Sequence, residues 1–87
     1  MITKTLICKV DITRRCASEV CSVFNKVPNG SAIYLKKQGE SRTCNAKSLL
    51  GLLSLVLRKG DICEVILNAD LEYFNFDLIS EYFDVVN

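Results

Sequence analysis

Histidine is absent from all 87 residues. Without imidazole the chain lacks a common nucleophile and the most frequent side-chain metal ligand. An excess of one charge is missing too: 11 Lys and Arg stand against 10 Asp and Glu, a net charge of +1. That is too near neutral to suggest nucleic acid or a membrane surface as a partner. The basic pairs Arg14-Arg15, Lys36-Lys37 and Arg58-Lys59 are scattered and read as solvated turns and strand ends. No uninterrupted apolar run approaches the ~18 residues needed to cross a bilayer. The opening stretch MITKTLICKVDITRR alternates and carries an acid where a signal peptide has an apolar block. A cytoplasmic location is therefore expected. There is no internal repeat and no low-complexity tract, and the length fits one domain over residues 1–87.

What is present fits a folded domain. Hydrophobic residues make up 49% and charged residues 24%, ordinary globular usage that argues against disorder. A domain of this size buries a little over ~60% of its unfolded surface, enough for one sheet with helices on one face. The five cysteines, Cys8, Cys16, Cys21, Cys44 and Cys63, are odd in number and scattered. In a cytoplasmic chain they read as reduced thiols, mostly small core residues. Cys16 and Cys21 supply half the spacing of a metal site, but the other cysteines form no second pair, so no metal and no cofactor is expected.

Apolar periodicity outlines the elements. Lys4 to Val10 reads as a strand. From Ala17 to Val27, apolar residues recur at spacings of three and four, one face of a helix closed by Pro28-Asn29-Gly30. Ser31 to Lys37 reads as a second strand, turned back by Gln38-Gly39-Glu40 into Ser41 to Cys44. Ser48 can cap a helix running through Leu57, with Gly60 placed to terminate it. Asp61 to Leu67 reads as a strand buried on part of both faces. Leu71, Phe74 or Asn75, Leu78, Tyr82 and Val86 recur as a last helix. The order β-α-β-β-α-β-α predicts an α+β fold: four strands in an antiparallel or mixed sheet, with three helices on one face.

The stretch NAKSLLGLLSLVLRKGD, Asn45 to Asp61, resembles a segment of HPr, the small histidine-containing phosphocarrier of the bacterial sugar phosphotransferase system. That family carries Asn-Ala-Lys-Ser, two apolar residues, Gly, two apolar residues, Ser-Leu, and an apolar stretch closing in Gly-Asp or Gly-Thr. Lys47, Ser48, Gly51, Ser54, Leu55 and Gly60 sit together at this spacing. The resemblance implies the HPr-like open-faced β-sandwich with a four-stranded antiparallel sheet. The first helix departs from the pattern. The family's active loop reads Gly-Leu-His-Ala-Arg-Pro-Ala-Ala, its histidine taking the phosphoryl group and its arginine supporting it. Here the region reads TRRCASEVCSVF. One register puts Ala17 at the histidine, Glu19 at the arginine and Val20 at the proline; a shift by two puts Arg15 at the histidine. Neither supplies an imidazole, so relay through histidine is excluded.

In Gram-positive members the serine of Asn-Ala-Lys-Ser is a regulatory phosphorylation site, and the phosphorylated protein binds a transcriptional regulator. A catabolite-repression variant of HPr has lost the histidine and keeps only that serine. This chain resembles the variant, which implies regulatory phosphorylation at Ser48 and partner binding through Lys47, Leu50 and Leu53. The implied partners are proteins: an HPr kinase-like enzyme, a transcriptional regulator or a transport-system component. Family phosphocarriers are passed between enzymes, so the chain is not expected to be an enzyme. The residues alone also admit a plain N-cap at Ser48, worth about 1 kcal/mol, with Leu49, Leu52 and Val56 in the core. Seven aliphatic residues in nine positions exceed one buried stripe, however, so some should face outward. Two further readings stay open. One is a structural module that kept the fold and forms a homodimer through Leu50 and Leu53 or a sheet edge. The other is an enzyme using Cys16 as nucleophile, its pKa lowered by Arg14-Arg15.

Overall fold

Alternation along the strands decides which face of the sheet is covered. In β1 (Ile2–Cys8), Leu6 and Cys8 are buried while Ile7 is only partly so. In β4 (Ile62–Leu67) the buried set is Cys63, Val65 and Leu67, and in β2 (Ile33–Lys37) it is Ile33 and Leu35. Side chains two apart point to one face, so these residues form a single apolar layer. The computed structural model describes residues 1–28 and 31–86. Asn29 and Gly30 of the expected turn lie outside the described residues.

The sheet has five antiparallel strands in the order β3-β2-β4-β1-β5, with β3 at Thr43–Asn45 and β5 at Phe83–Val85. Leu6 pairs with Cys63 across β1 and β4, and Leu35 with Val65 across β2 and β4. The α+β class and the open antiparallel sheet stand as expected. The count does not: among the described residues five strands replace four, and two α-helices replace three.

Helix α1 (Arg14–Phe24) starts three residues before the expected Ala17, because Thr13 takes an extended backbone and its hydroxyl accepts the Cys16 N–H at 3.4 Å. It buries Ala17, Val20 and Phe24 on the apolar layer. Helix α2 (Leu49–Ser54) is shorter than the expected run to Leu57. Gly60 does not end it. Leu55 is its C-cap, and Val56 then turns left-handed, with φ +51°. The chain is drawn away because the Leu57 carbonyl accepts the Ile12 N–H at 2.9 Å. Gly60, at φ +90°, belongs instead to the turn Arg58–Asp61. Val56 leaves the core expected for it and is 55% exposed, while Leu52, Leu55 and Leu57 are buried.

The last helix is absent. Residues 69–85 form two short 3₁₀ turns, Ala69–Leu71 and Phe76–Ile79, and then β5. The segment is rich in Phe, Tyr, Asn and Asp, all modest helix formers. The Asn75 side chain accepts the Asp77 N–H at 3.0 Å and starts a tight turn. Phe74 packs against Phe24 in a tilted pair at 5.5 Å and meets Phe76 edge-on at 5.0 Å. Ile79 and Phe83 reach the core, whereas the helical reading would have buried Leu78 and Val86, which are exposed.

Candidate functional site

The loop Asn45–Ser48 is held from several directions. Asn45 at the end of β3 accepts the Lys47 N–H with its side-chain oxygen and the Ser48 N–H with its carbonyl, both at 2.9 Å. The Lys47 carbonyl in turn receives Asn25 Nδ2 at 2.9 Å and the Cys21 thiol at 3.0 Å, both from α1. Ser48 has extended backbone, and its Oγ accepts the Gly51 N–H at 3.1 Å as the N-cap of α2. Gly51 is required by close approach: a Cβ there would lie 3.0 Å from the Asn45 carbonyl oxygen and 3.3 Å from Ser48 Cβ.

These contacts bring the expected residues Lys47, Ser48, Leu50 and Leu53 into one region but not into one environment. Leu50 is 80% exposed. Leu53 is half-buried and packs partly against the core. Ser48 and Lys47 are half-buried, and Lys47 forms no ion pair among the described residues.

At the other end of α2 lies an open groove of about 390 Å³ between the exit of that helix and the start of α1. Ile12, Leu53 and Val56 line it together with Arg14 and Arg58. Asp11 also borders it, but its carboxylate is engaged by the Lys59 N–H at 2.9 Å. Sequence reasoning missed this groove, since it depends on the early start of α1 and the early end of α2. Two cations anchor the exit of α2: Arg42 donates to the Ser54 carbonyl at 2.8 Å and Lys37 to the Val56 carbonyl at 3.2 Å.

Of the two residues aligned with the family histidine, Ala17 is fully buried and Arg15 is exposed, its guanidinium 4.0 Å from Glu19. Cys16 is half-buried, 3.4 Å from the Thr13 hydroxyl. All five thiols are free. Cys8, Cys44 and Cys63 are buried; burial raises the pKa of the Cys44 thiol, and its hydrogen bond to Cys8 together with burial pushes Cys63 far up. The Cys44 and Cys63 thiols stay protonated, whereas the hydrogen bond with Cys63 lowers the pKa of Cys8. Asp61 is held below the usual carboxylate range, first by the Arg58 N–H on its Oδ2 at 2.9 Å and then by Lys37 at 3.3 Å.

The family model described as "PTS HPr component phosphorylation site" matches residues 2–84. Solved structures give the same fold. A phosphocarrier protein HPr from Bacillus anthracis is 24% identical at TM-score 0.75, covering 93% of this chain and 95% of that one. HPr-C-His from Thermoanaerobacter tengcongensis is 23% identical at TM-score 0.74, covering 93% and 89%. A histidine-containing phosphocarrier protein of Mycoplasma is 17% identical at TM-score 0.72, covering 92% and 89%. A comparison with curated protein sequences finds no match. At such identities the solved structures establish the fold, while the family match runs over nearly the whole sequence. The chain belongs to the PTS-HPr family, the HPr phosphocarrier proteins of the bacterial sugar phosphotransferase system.

Proposed function

We propose that this chain is a regulatory member of the HPr family, a substrate and binding partner rather than a phosphoryl relay or an enzyme. In the proposed reaction an HPr kinase-like enzyme transfers the γ-phosphoryl group of ATP to Ser48 Oγ. The hydroxyl proton is lost and ADP leaves. The modified surface, with Lys47, Leu50 and Leu53, then meets a transcriptional regulator or a transport-system component.

The observation that carries this reading is the placement of Ser48. Ser48 is a half-buried residue on a loop fixed by four hydrogen bonds, close to a leucine that is 80% exposed. An exposed leucine on a six-residue helix contributes little to folding, which favours contact with a partner. Lys47 has no competing ion pair among the described residues and can meet an added phosphate.

The start of α1 supports the loss of relay. With Thr13 as N-cap, the family loop can be laid on this chain in a third register, in which Ile12, Arg15 and Ala17 fall on its Leu, Arg and first Ala after Pro. Thr13 then stands at the histidine and Cys16 at the proline. A threonine hydroxyl offers no nitrogen for a high-energy phosphoramidate.

The test is incubation with an HPr kinase and ATP, read by intact mass. One added phosphate on the parent and none on Ser48→Ala supports the reading; no phosphate, or phosphate that survives Ser48→Ala, removes its regulatory half. A second reading, a homodimeric structural module, is favoured by the two edge strands β3 and β5. Light scattering that reports a monomer at every concentration disposes of it.

A further inference from the structure

We propose that the outer edge of β5 is a docking site for an extended, basic segment of a partner protein, which joins the sheet as a further strand. The site lies on the strand that the expected four-stranded sheet lacks, and it does not depend on phosphorylation at Ser48.

The backbone supplies the first observation. β5 is the outermost strand and pairs with β1 alone, Ile7 opposite Asp84 and Cys8 opposite Phe83. The Tyr82 carbonyl accepts the Lys9 N–H at 2.8 Å, and the Val86 N–H donates to the Thr5 carbonyl at 2.9 Å. Main-chain groups alternate in direction along an antiparallel strand, so Tyr82, Asp84 and Val86 turn theirs toward β1. Phe83 and Val85 turn their N–H and C=O groups outward, and no turn or loop among the described residues bonds to them. Sheet edges are commonly blunted by a lysine, a proline or a bulge. This one reads Phe-Asp-Val-Val in continuous register with β1, and Val85 is 44% and Val86 52% exposed.

The charge distribution gives the occupant's chemistry. Residues 69–86 hold five acids, Asp70, Glu72, Asp77, Glu81 and Asp84, and no Lys or Arg, while the rest of the chain holds all 11 bases and the other five acids. The near-neutral total thus hides a strongly acidic segment leading into β5. All five acids are exposed, and Glu72, Asp77 and Glu81 form no ion pair among the described residues. Asp84 lies on the edge itself, with a loose contact of 3.9 Å to Lys9. On an added strand, residues beside Phe83 and Val85 share their face of the sheet, and a residue beside Asp84 takes the other face. Apolar side chains alternating with Lys or Arg fit that pattern: main-chain bonds hold the strand and charge selects it. A second copy of this chain fits poorly. Antiparallel pairing of two β5 edges about a twofold axis sets Asp84 against Asp84 and one acidic segment against the other.

The test uses the full, unmodified chain, 15N-labelled, and a short synthetic peptide in which Lys alternates with Val and Thr. One control has Glu in place of Lys. A second keeps Lys but is N-methylated at Val and Thr, which removes the N–H groups that would bond Phe83 and Val85. The Lys peptide is expected to shift the amides of Phe83 and Val85, to slow their hydrogen exchange, and to bind at least about tenfold more tightly than either control. Val85→Pro removes an outward N–H and leaves the ladder to β1 whole, so it should keep the parent spectrum elsewhere and lose the binding. Asp84→Lys, a change at an exposed position, should weaken Lys-peptide binding several-fold and decides the matter if the proline variant does not fold. No binding of the Lys peptide, equal binding of the Lys and Glu peptides, binding that survives N-methylation, Val85→Pro or Asp84→Lys, or shifts confined to other strands overturns the proposal. Protection of Phe83 and Val85 that rises with protein concentration alone overturns it in favour of self-pairing. Because Ser48 is unmodified throughout, a negative kinase assay leaves this result standing, and the reverse also holds.

Discussion

Asn25, the C-cap of α1, donates through Nδ2 to the main-chain carbonyl of Lys47 at 2.9 Å, tying the end of the first helix to the residue before Ser48. The same Nδ2 also lies 2.8 Å from the Cys21 carbonyl, so it caps its own helix while holding the loop. The backbone at Ser48 is thus set by a helix that precedes it by more than twenty residues, and changes in α1 are felt at the candidate site.

Asn25→Ala removes this tie but leaves the Cys21 thiol on the Lys47 carbonyl. The expected loss is about 1 kcal/mol, which lowers Tm by roughly 4–8 °C. Amide exchange should quicken at Lys47, Ser48 and Gly51. A Tm and an exchange pattern equal to the parent's would show that the contact holds nothing.

Ser48→Ala takes away the acceptor for the Gly51 N–H and should cost about 1 kcal/mol in urea unfolding. Ser48→Asp keeps an acceptor and should stay within a few tenths of the parent. Equal stability of all three proteins would mean that the cap contributes nothing.

Asp61 gives a pH signature. Its folded pKa is lowered by the Arg58 N–H and by Lys37, so its contribution is present above the ordinary carboxylate pKa and is lost as pH falls through the lower folded value. The Tm gap between parent and Asp61→Asn should be widest near neutral pH and close on acidification below about pH 4. A gap that widens on acidification would reverse the sign of the interaction.

Residues 69–85 should lack the signature of an α-helix. Backbone chemical shifts are expected to report extended geometry at Phe83–Val85, and the Val86 N–H, bound to the Thr5 carbonyl at 2.9 Å, should be protected from exchange. A continuous run of helical shifts from Leu71 to Val86 would restore the three-helix arrangement.

Much of this fold was legible because local pattern and tertiary structure agree. Alternation in Asp61–Leu67 and the three-and-four spacing of Ala17, Val20 and Phe24 each identify a face that is in fact buried. The last segment misled because Leu71, Leu78 and Val86 are helically spaced, while Phe74 packs against Phe24 and Phe76 and the end of the segment pairs with β1. The exit of α2 was illegible for another reason: a left-handed valine contradicts local preference, and only the Lys37 and Ile12 contacts account for the turn. At the candidate site, Ser48 as a cap follows from the residues and Leu50 as an outward residue from the family resemblance, which placed Leu53 beside it although Leu53 is half-buried, whereas the clamp by Asn25 and Cys21 is a non-local contact without a sequence signal.

The regulatory account stands most directly on where phosphate goes. The parent protein is to be treated with HPr kinase and ATP, then acid-quenched, digested and mapped by mass spectrometry. The account predicts one acid-stable phosphate, at Ser48, in high yield. No phosphate on the chain, or phosphate carried on any other residue, would contradict it.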